Sequence, residues 1–298
     1  MPPSDHVLEA EPGAQARPTA ALTDADLYLR GAQTLLASWK EYARGATGAA
    51  VDRLPGVGVA VFPNEPERAA YNNALLERDL AVAERTDALD AMEAAYAAAG
   101  VGRFAAWVHQ SDHAMRFDLE RRGYTFHQST RAMGMVLGDV RLPRPQIELG
   151  PADWFEYLRI IGVPPAFLSG ADRAAFHVLV ARLEGENVAA AMAFDHDGDC
   201  GIYNVGTLKH VRRRGLGTAL TALHVHDALA RGCQTASLQS TEMAEHVYAT
   251  VGFRDLGRIL EYVRTVVDGF GRAPVHQEYA SSAASAPNAV ARTLRDAG

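Results

Sequence analysis

The stretch NVGTLKHVRRRGLGTAL (204–220) decides how this chain is read. It leaves a strand, enters a basic turn holding Gly215 and Gly217, and continues as a helix over about 214–231. In that helix Leu216, Ala219, Leu220 and Leu223 recur at i, i+3, i+4 and i+7. Both glycines lack a Cβ, so the backbone can turn sharply and bring its N–H groups close to a ligand. The first amides of a helix have no partner within it and lie at the positive end of its dipole, which suits an anion such as a pyrophosphate. Arg212, Arg213 and Arg214 would add charge-assisted contacts. A solvated basic turn has the same composition. Two other phosphate loops fail on spacing, because Gly215-Leu216-Gly217 has neither the Lys-Ser/Thr pair of GxxxxGK[ST] nor the third glycine of GxGxxG.

Outward from this turn, FHVLVARLEG, VAAAMAFDHDGD and CGIYNVGTL read as a three-strand meander, with the DHDGD turn (195–199) supplying the residues of positive φ. TASLQ (235–239) reads as a strand, EMAEHVYATVG (242–252) as a short helix and GRILEYVRT (257–265) as a last strand. IEL (147–149) opens this half, followed by a helical stretch from Pro151–Trp154 and an irregular segment over 163–173. Upstream, helices are expected over 23–44, where Thr23-Asp24 offers a cap, and over 83–98 and 113–124. Strands are expected at 57–62, 103–109 and 130–137. RLPRPQ (141–146) carries two prolines and little apolar content and is taken as the linker. The expected organisation is therefore a disordered tail (1–22), a first domain (23–140), a linker (141–146), a second domain (147–266) and a mobile tail (267–298). The fold class is α/β, with mixed sheets.

The chain has 298 residues, enough for two domains. Its 48% hydrophobic and 22% charged residues fit a soluble globular chain with a sizeable core. The net charge is -7, and both halves are acidic: about -4 for 1–146 (15 minus 19) and -3 for the rest (14 minus 17). That balance argues against nucleic acid and anionic membranes as partners. Cys200 and Cys233 are the only cysteines, too few for a disulfide framework or a Cys-rich zinc site. With no apolar run of membrane length and no export signal, a cytoplasmic location is expected.

An internal repeat links the halves. DLERRGYTFHQSTRAMGMVL and VYATVGFRDLGRILEYVR both run short helix, glycine, aromatic, strand, so that Gly123-Tyr124 aligns with Gly252-Phe253 and Tyr248 with Leu119.

Arg212-Arg213-Arg214-Gly215-Leu216-Gly217 resembles the Q/R-x-x-G-x-G/A signature of the GNAT superfamily of acyl-CoA-dependent N-acetyltransferases, and Tyr248, four residues before Gly252-Phe253, resembles that family's second marker. The resemblance covers about 147–266, and the repeat resembles two-copy members of the family. It implies tandem GNAT folds with a degenerate first copy, and acetyl-CoA as cosubstrate without a metal. Val205, Gly206 and Thr207 would lie along the pantetheine arm. Residues Arg212, Arg213, Arg214, Gly215, Leu216, Gly217 and Thr218 would cradle the pyrophosphate, and Ser240 would lie near the cofactor. Thr241 stands where many members have Asn. Tyr248 would protonate the departing thiolate.

The base is less defined. CGIYNVGTL and TASLQS hold no carboxylate, so a water chain through Tyr203 or Asn204 is expected. His224 and His226 point to different sides of a helix and make no joint metal site. Glu242 reads as a dipole-stabilising residue. The resemblance assigns acceptor recognition to 154–176, where Trp154, Phe155, Pro164, Pro165 and Phe167 could wall a pocket, with Trp154 better read as core. The expected partner is a small-molecule amine, and homodimerisation stays open. A CoA-binding regulator without turnover is the competing class.

Overall fold

The structure is a computed structural model, which describes residues 22–64, 72–162 and 171–264. The expected tails and Pro164, Pro165 and Phe167 lie outside those residues. The first half comprises α1 (Asp24–Ala43), β1 (Ala50–Leu54), β2 (Val57–Val61), β3 (Asn73–Leu76), α2 (Val82–Ala98), β4 (Ala105–His109), α3 (His113–Arg121) and β5 (Tyr124–Val136). The second comprises α4 (Trp154–Ile161), β6 (His177–Leu183), β7 (Glu186–His196), β8 (Asp199–Thr207), α5 (Leu216–Arg231), β9 (Thr235–Ser240), α6 (Glu245–Val251) and β10 (Arg254–Arg264). IEL (147–149), which opens the second half, makes only one bridge, Leu149 to Ala181, and β1 and β3 were not expected from the sequence.

Local chemistry accounts for the helix boundaries. Thr23 and Asp26 form a reciprocal capping box at the start of α1, with the Thr23 amide 2.8 Å from the Asp26 carboxylate and the Asp26 amide 3.2 Å from the Thr23 hydroxyl. Asp112 and Asp153 cap α3 and α4 with their side chains. Gly162 and Gly232 end α4 and α5 in the left-handed conformation.

All ten strands form one mixed sheet in the order β1-β2-β3-β4-β10-β5-β9-β8-β7-β6. The two halves are interleaved at its centre, because β10 lies between β4 and β5, while β5 lies between β10 and β9. Each half thus receives the last strand of the other, and the linker at 141–146 separates the helices but not the sheet.

The β5–β10 register carries the repeat. Gly123 and Gly252 are offset by 129 residues (252 − 123), and Thr130 pairs with Ile259, its own counterpart at that offset. Exchanging counterparts turns the pair Met133–Asp255 into Tyr262–Phe126, which is also present. The two strands are therefore related by a local two-fold through Thr130 and Ile259, and each carries a bulge at the matching place.

The helices divide between two faces. Ile259 and Val263 of β10 join the core beneath Leu27, Leu35 and Trp39 of α1 and Tyr157 of α4. Tyr262 of the same strand packs with Leu89 and Met92 of α2 and Leu119 of α3, and Arg258 reaches Glu245 of α6 at 3.0 Å. Alternation along β10 thus puts α1 and α4 on one face and α2, α3, α5 and α6 on the other. Gly134 admits α1, since a Cβ there would stand 3.2 Å from the Leu27 Cβ.

Candidate active site

The open end of the β8–β9 pair is the feature from which the site is built. These parallel strands pair only from Asp199–Thr235 to Gly201–Ser237, although β8 continues to Thr207 and β9 to Ser240. A bulge explains the parting. Opposite β7 the register shifts between Ala190–Gly206 and Met192–Tyr203, and Asn204 within that interval has φ 53. Asn tolerates this left-handed conformation better than most side chains, and the extra residue bends β8 away from β9. Its Nδ2 donates to the Tyr157 hydroxyl of α4 at 2.9 Å. Past Gly201, no described strand pairs with the edge of β8 that faced β9, which leaves a template for an extended ligand.

The expected pantetheine residues lie on that edge, with individual reasons for their identities. Gly206 runs beneath α4, where a Cβ would stand 3.1 Å from Ile161 Cγ2 and 3.3 Å from its Cα. Its missing side chain therefore serves helix packing. Val205 packs towards α5, 3.7 Å from where a Gly217 Cβ would be. The Thr207 carbonyl accepts from Arg212 Nε at 3.1 Å, which ties the turn to the strand end.

The turn then delivers α5 with its N-terminus uncovered. Gly215 caps the helix at φ 79, no side chain caps it, and the first helical bond is Ala219 N–H to Gly215 C=O at 2.9 Å. Among the described residues the amides of Leu216, Gly217 and Thr218 have no acceptor. A Cβ at Gly215 would meet nothing within 4 Å, so its glycine answers to backbone conformation and to open space in front of the helix. Leu216 turns its side chain into the core beside Leu220 and offers only its amide. Arg213 and Arg214 are exposed, with no carboxylate partner among the described residues.

Tyr248 sits on α6, packed in one core cluster with Leu238 of β9 and edge-on to Phe253 at 6.3 Å between ring centroids. Burial pushes its phenol up to about 12, so it carries its proton at neutral pH. No described residue accepts that proton. Ser240 ends β9, and its hydroxyl donates to the Thr241 carbonyl at 2.8 Å.

Other candidates separate clearly. His224 is buried on α5 and held down to about 4 by burial, hence neutral, while His226 meets the Leu142 carbonyl at 2.9 Å and Glu242 is exposed. Trp154 is core, 6% exposed, and Phe155 is 57% exposed under the Arg173 guanidinium. Tyr203 is buried on the α1 face. Among the described residues no group of three His, Cys, Asp or Glu side chains could hold a metal, and no helix is long and apolar enough to cross a membrane.

The Acetyltransferase (GNAT) family model matches residues 145–253. This segment is a GNAT-family domain. A search of curated protein sequences finds no match. Among solved structures, a GCN5-related N-acetyltransferase from Kribbella flavida is similar at TM-score 0.59 and 19% identity, over 77% of this chain and 95% of that one. Another from Sphaerobacter thermophilus gives 0.53 and 17%, over 82% and 93%. A tandem GNAT protein from the clavulanic acid biosynthesis pathway gives 0.51 and 11%, over 78% and 94%. At these identities the likeness is one of fold, and it extends well beyond the GNAT domain into the first half.

Two features of the GNAT domain's surroundings were not found from the sequence. Its α1-side wall includes Tyr42 of the first half, stacked on Phe176 at 5.3 Å, and a helix 130 residues away gives no local signal of this contact. Glu261 of β10 is 6% exposed on the same face, and a lone carboxylate at an inward position of ILEYV was the available clue.

Proposed function

We propose that this chain transfers the acetyl group of acetyl-CoA to the primary amine of a small molecule within a ternary complex. The pantetheine arm would pair along Val205, Gly206 and Thr207, and the pyrophosphate would take the amides of Leu216, Gly217 and Thr218 with Arg212, Arg213 and Arg214 around it. Holding both reactants in the parted pair makes attack effectively unimolecular. The free amine attacks the thioester carbonyl carbon, the C–S bond breaks, and the CoA sulfur takes the Tyr248 proton. The amine's surplus proton leaves to water, and the phenolate regains a proton from solvent. The family and fold support acyl-CoA-dependent acetyl transfer in general. The observation that carries the finer reading is the parting of β8 and β9 past Gly201–Ser237, followed by the uncovered helix amides of α5, together with a protonated Tyr248 phenol packed against Leu238 of β9.

One observation favours a second reading. Among the described residues, neither β8 past Gly201 nor β9 has a carboxylate to take the amine's proton, as a CoA-binding regulator without turnover would allow. Thiol release from acetyl-CoA with a panel of primary amines separates the two. Transfer by the wild type, slowed about 10- to 1000-fold in single turnover by Tyr248→Phe with cofactor affinity kept, supports the enzyme. Tight acetyl-CoA binding without thiol release supports the regulator.

A further inference from the structure

The floor of the α1 and α4 face continues past the end of β9. Ser240 pairs with Arg131, and β5 runs on through Thr130 to Gln128, which pairs with Glu261 of β10; Glu261 in turn pairs with Trp107 of β4. Thr130, Gln128, Glu261 and Trp107 share one face, because Ile259, Val263 and Trp107 belong to the core beneath α1 and alternate with residues of the opposite core, whereas Arg131 turns to Glu245 of α6 on the other face.

Two of these side chains, Thr130 and Trp107, hold enclosed polar atoms without a described partner, and a third, Glu261, holds a carboxyl group almost wholly out of water. Glu261 is 6% exposed, and its Oε2 accepts from the Gln128 amide at 2.8 Å, while its other oxygen is not among the enclosed unpartnered atoms. The Thr130 hydroxyl and the Trp107 indole N–H, on side chains 3% and 4% exposed, are unpartnered among the described residues. Among the described residues no cation pairs with the carboxylate. A carboxyl group at such depth without a described cation, beside a hydroxyl without a described partner, points to an occupant that brings donors and positive charge.

We propose that Glu261, flanked by Trp107 and Thr130, binds a cationic group of the acceptor, so that the acceptor is an amine with a second positive centre. A carboxylate beside an indole suits an alkylammonium, which gains a charge-assisted bond and the ring face, while the Thr130 oxygen accepts a further N–H. β10 lies two strands from β9, so this cation stands on the order of 10 Å from the opening where the acetyl group would lie. That spacing fits a linear diamine or an amino sugar with a distal amine. The inference rests on the acetyltransferase reading for its sense of which face receives the acceptor.

Calorimetry on the full chain with saturating CoA tests it, using a linear seven-carbon diamine and the amino alcohol of the same length. The wild type is expected to bind the diamine about tenfold more tightly than the amino alcohol, and Glu261→Gln to remove that preference while CoA affinity stays unchanged. Equal wild-type affinities for the two probes overturn the proposal without any variant. A preference that survives in a folded Glu261→Gln chain overturns it as well. Failure to bind CoA at all would count against the acetyltransferase reading instead, and the diamine preference, measured in the same chain, would be judged separately.

Discussion

The two halves present the same strand–turn–helix corner with opposite chemistry. In the second, β8 and β9 part after three pairs, and α5 begins at Gly215 with three uncovered amides behind Arg212, Arg213 and Arg214. In the first, β3 and β4 also pair three times, from Asn73–Ala105 to Leu75–Trp107, but β3 ends one residue later at Leu76, so among the described residues there is no long parted strand like β8. Helix α2 starts at Ala81, whose amide donates to the Glu84 carboxylate at 2.8 Å, so the first half supplies its own anion where the second leaves room for one. Leu119, the counterpart of Tyr248, is wholly buried and has no proton to give. The difference teaches that the corner alone is scaffold. We propose that function needs the bulge, the uncovered helix start and the acid together, and that the first half is a degenerate copy that shapes and supports the active one.

The comparison can be broken at several points. Leu119→Ala should cost about 2 to 5 kcal/mol of stability, as loss of a fully buried leucine does, while the acetyl-CoA affinity of the folded chain stays the same. Denaturant unfolding and calorimetry on one preparation read both quantities, and a large affinity loss without a stability loss would give the first half a binding role. Gly215→Val forces a branched side chain to φ 79, a strain of about 1 to 3 kcal/mol relieved only by moving the amides that face the ligand. Acetyl-CoA affinity should fall about 10- to 100-fold, and wild-type affinity in a folded variant would place the anion elsewhere. Glu84→Ala is the smallest change. Uncovering the start of α2 should lower stability by about 0.5 kcal/mol without creating a second cofactor site, because β3 still ends at Leu76; a gain of a second site in titration would show that the carboxylate alone kept the first half silent.

Much of this contrast was legible in the sequence. The basic glycine turn, the helical period after it and the Tyr-to-Gly-Phe spacing identified the GNAT domain, because each is local. The helices α1, α2 and α3 emerged from apolar period and capping residues. The exchange of β5 and β10 did not, since a strand's alternation fixes its faces but not its neighbours. β1 was missed because it is an exposed edge strand with a mostly polar sequence, AVDRL, and β3 because four residues are too short for a period. At the candidate site, the glycine of the turn was read as clearance for a ligand, whereas Gly206 turned out to clear Ile161 of α4. Tyr42 and Glu261 reach the GNAT face only through the interleaved sheet, which no local pattern announces.

The central claim is that one half binds the cofactor and the other only supports it. The stoichiometry of acetyl-CoA binding to the full chain, titrated to saturation in the wild type, Gly215→Val and Leu119→Ala, tests it most directly. The account predicts one mole per chain, weakened or lost on changing Gly215 and kept on changing Leu119. Two moles per chain, with one surviving the Gly215 change, would contradict it.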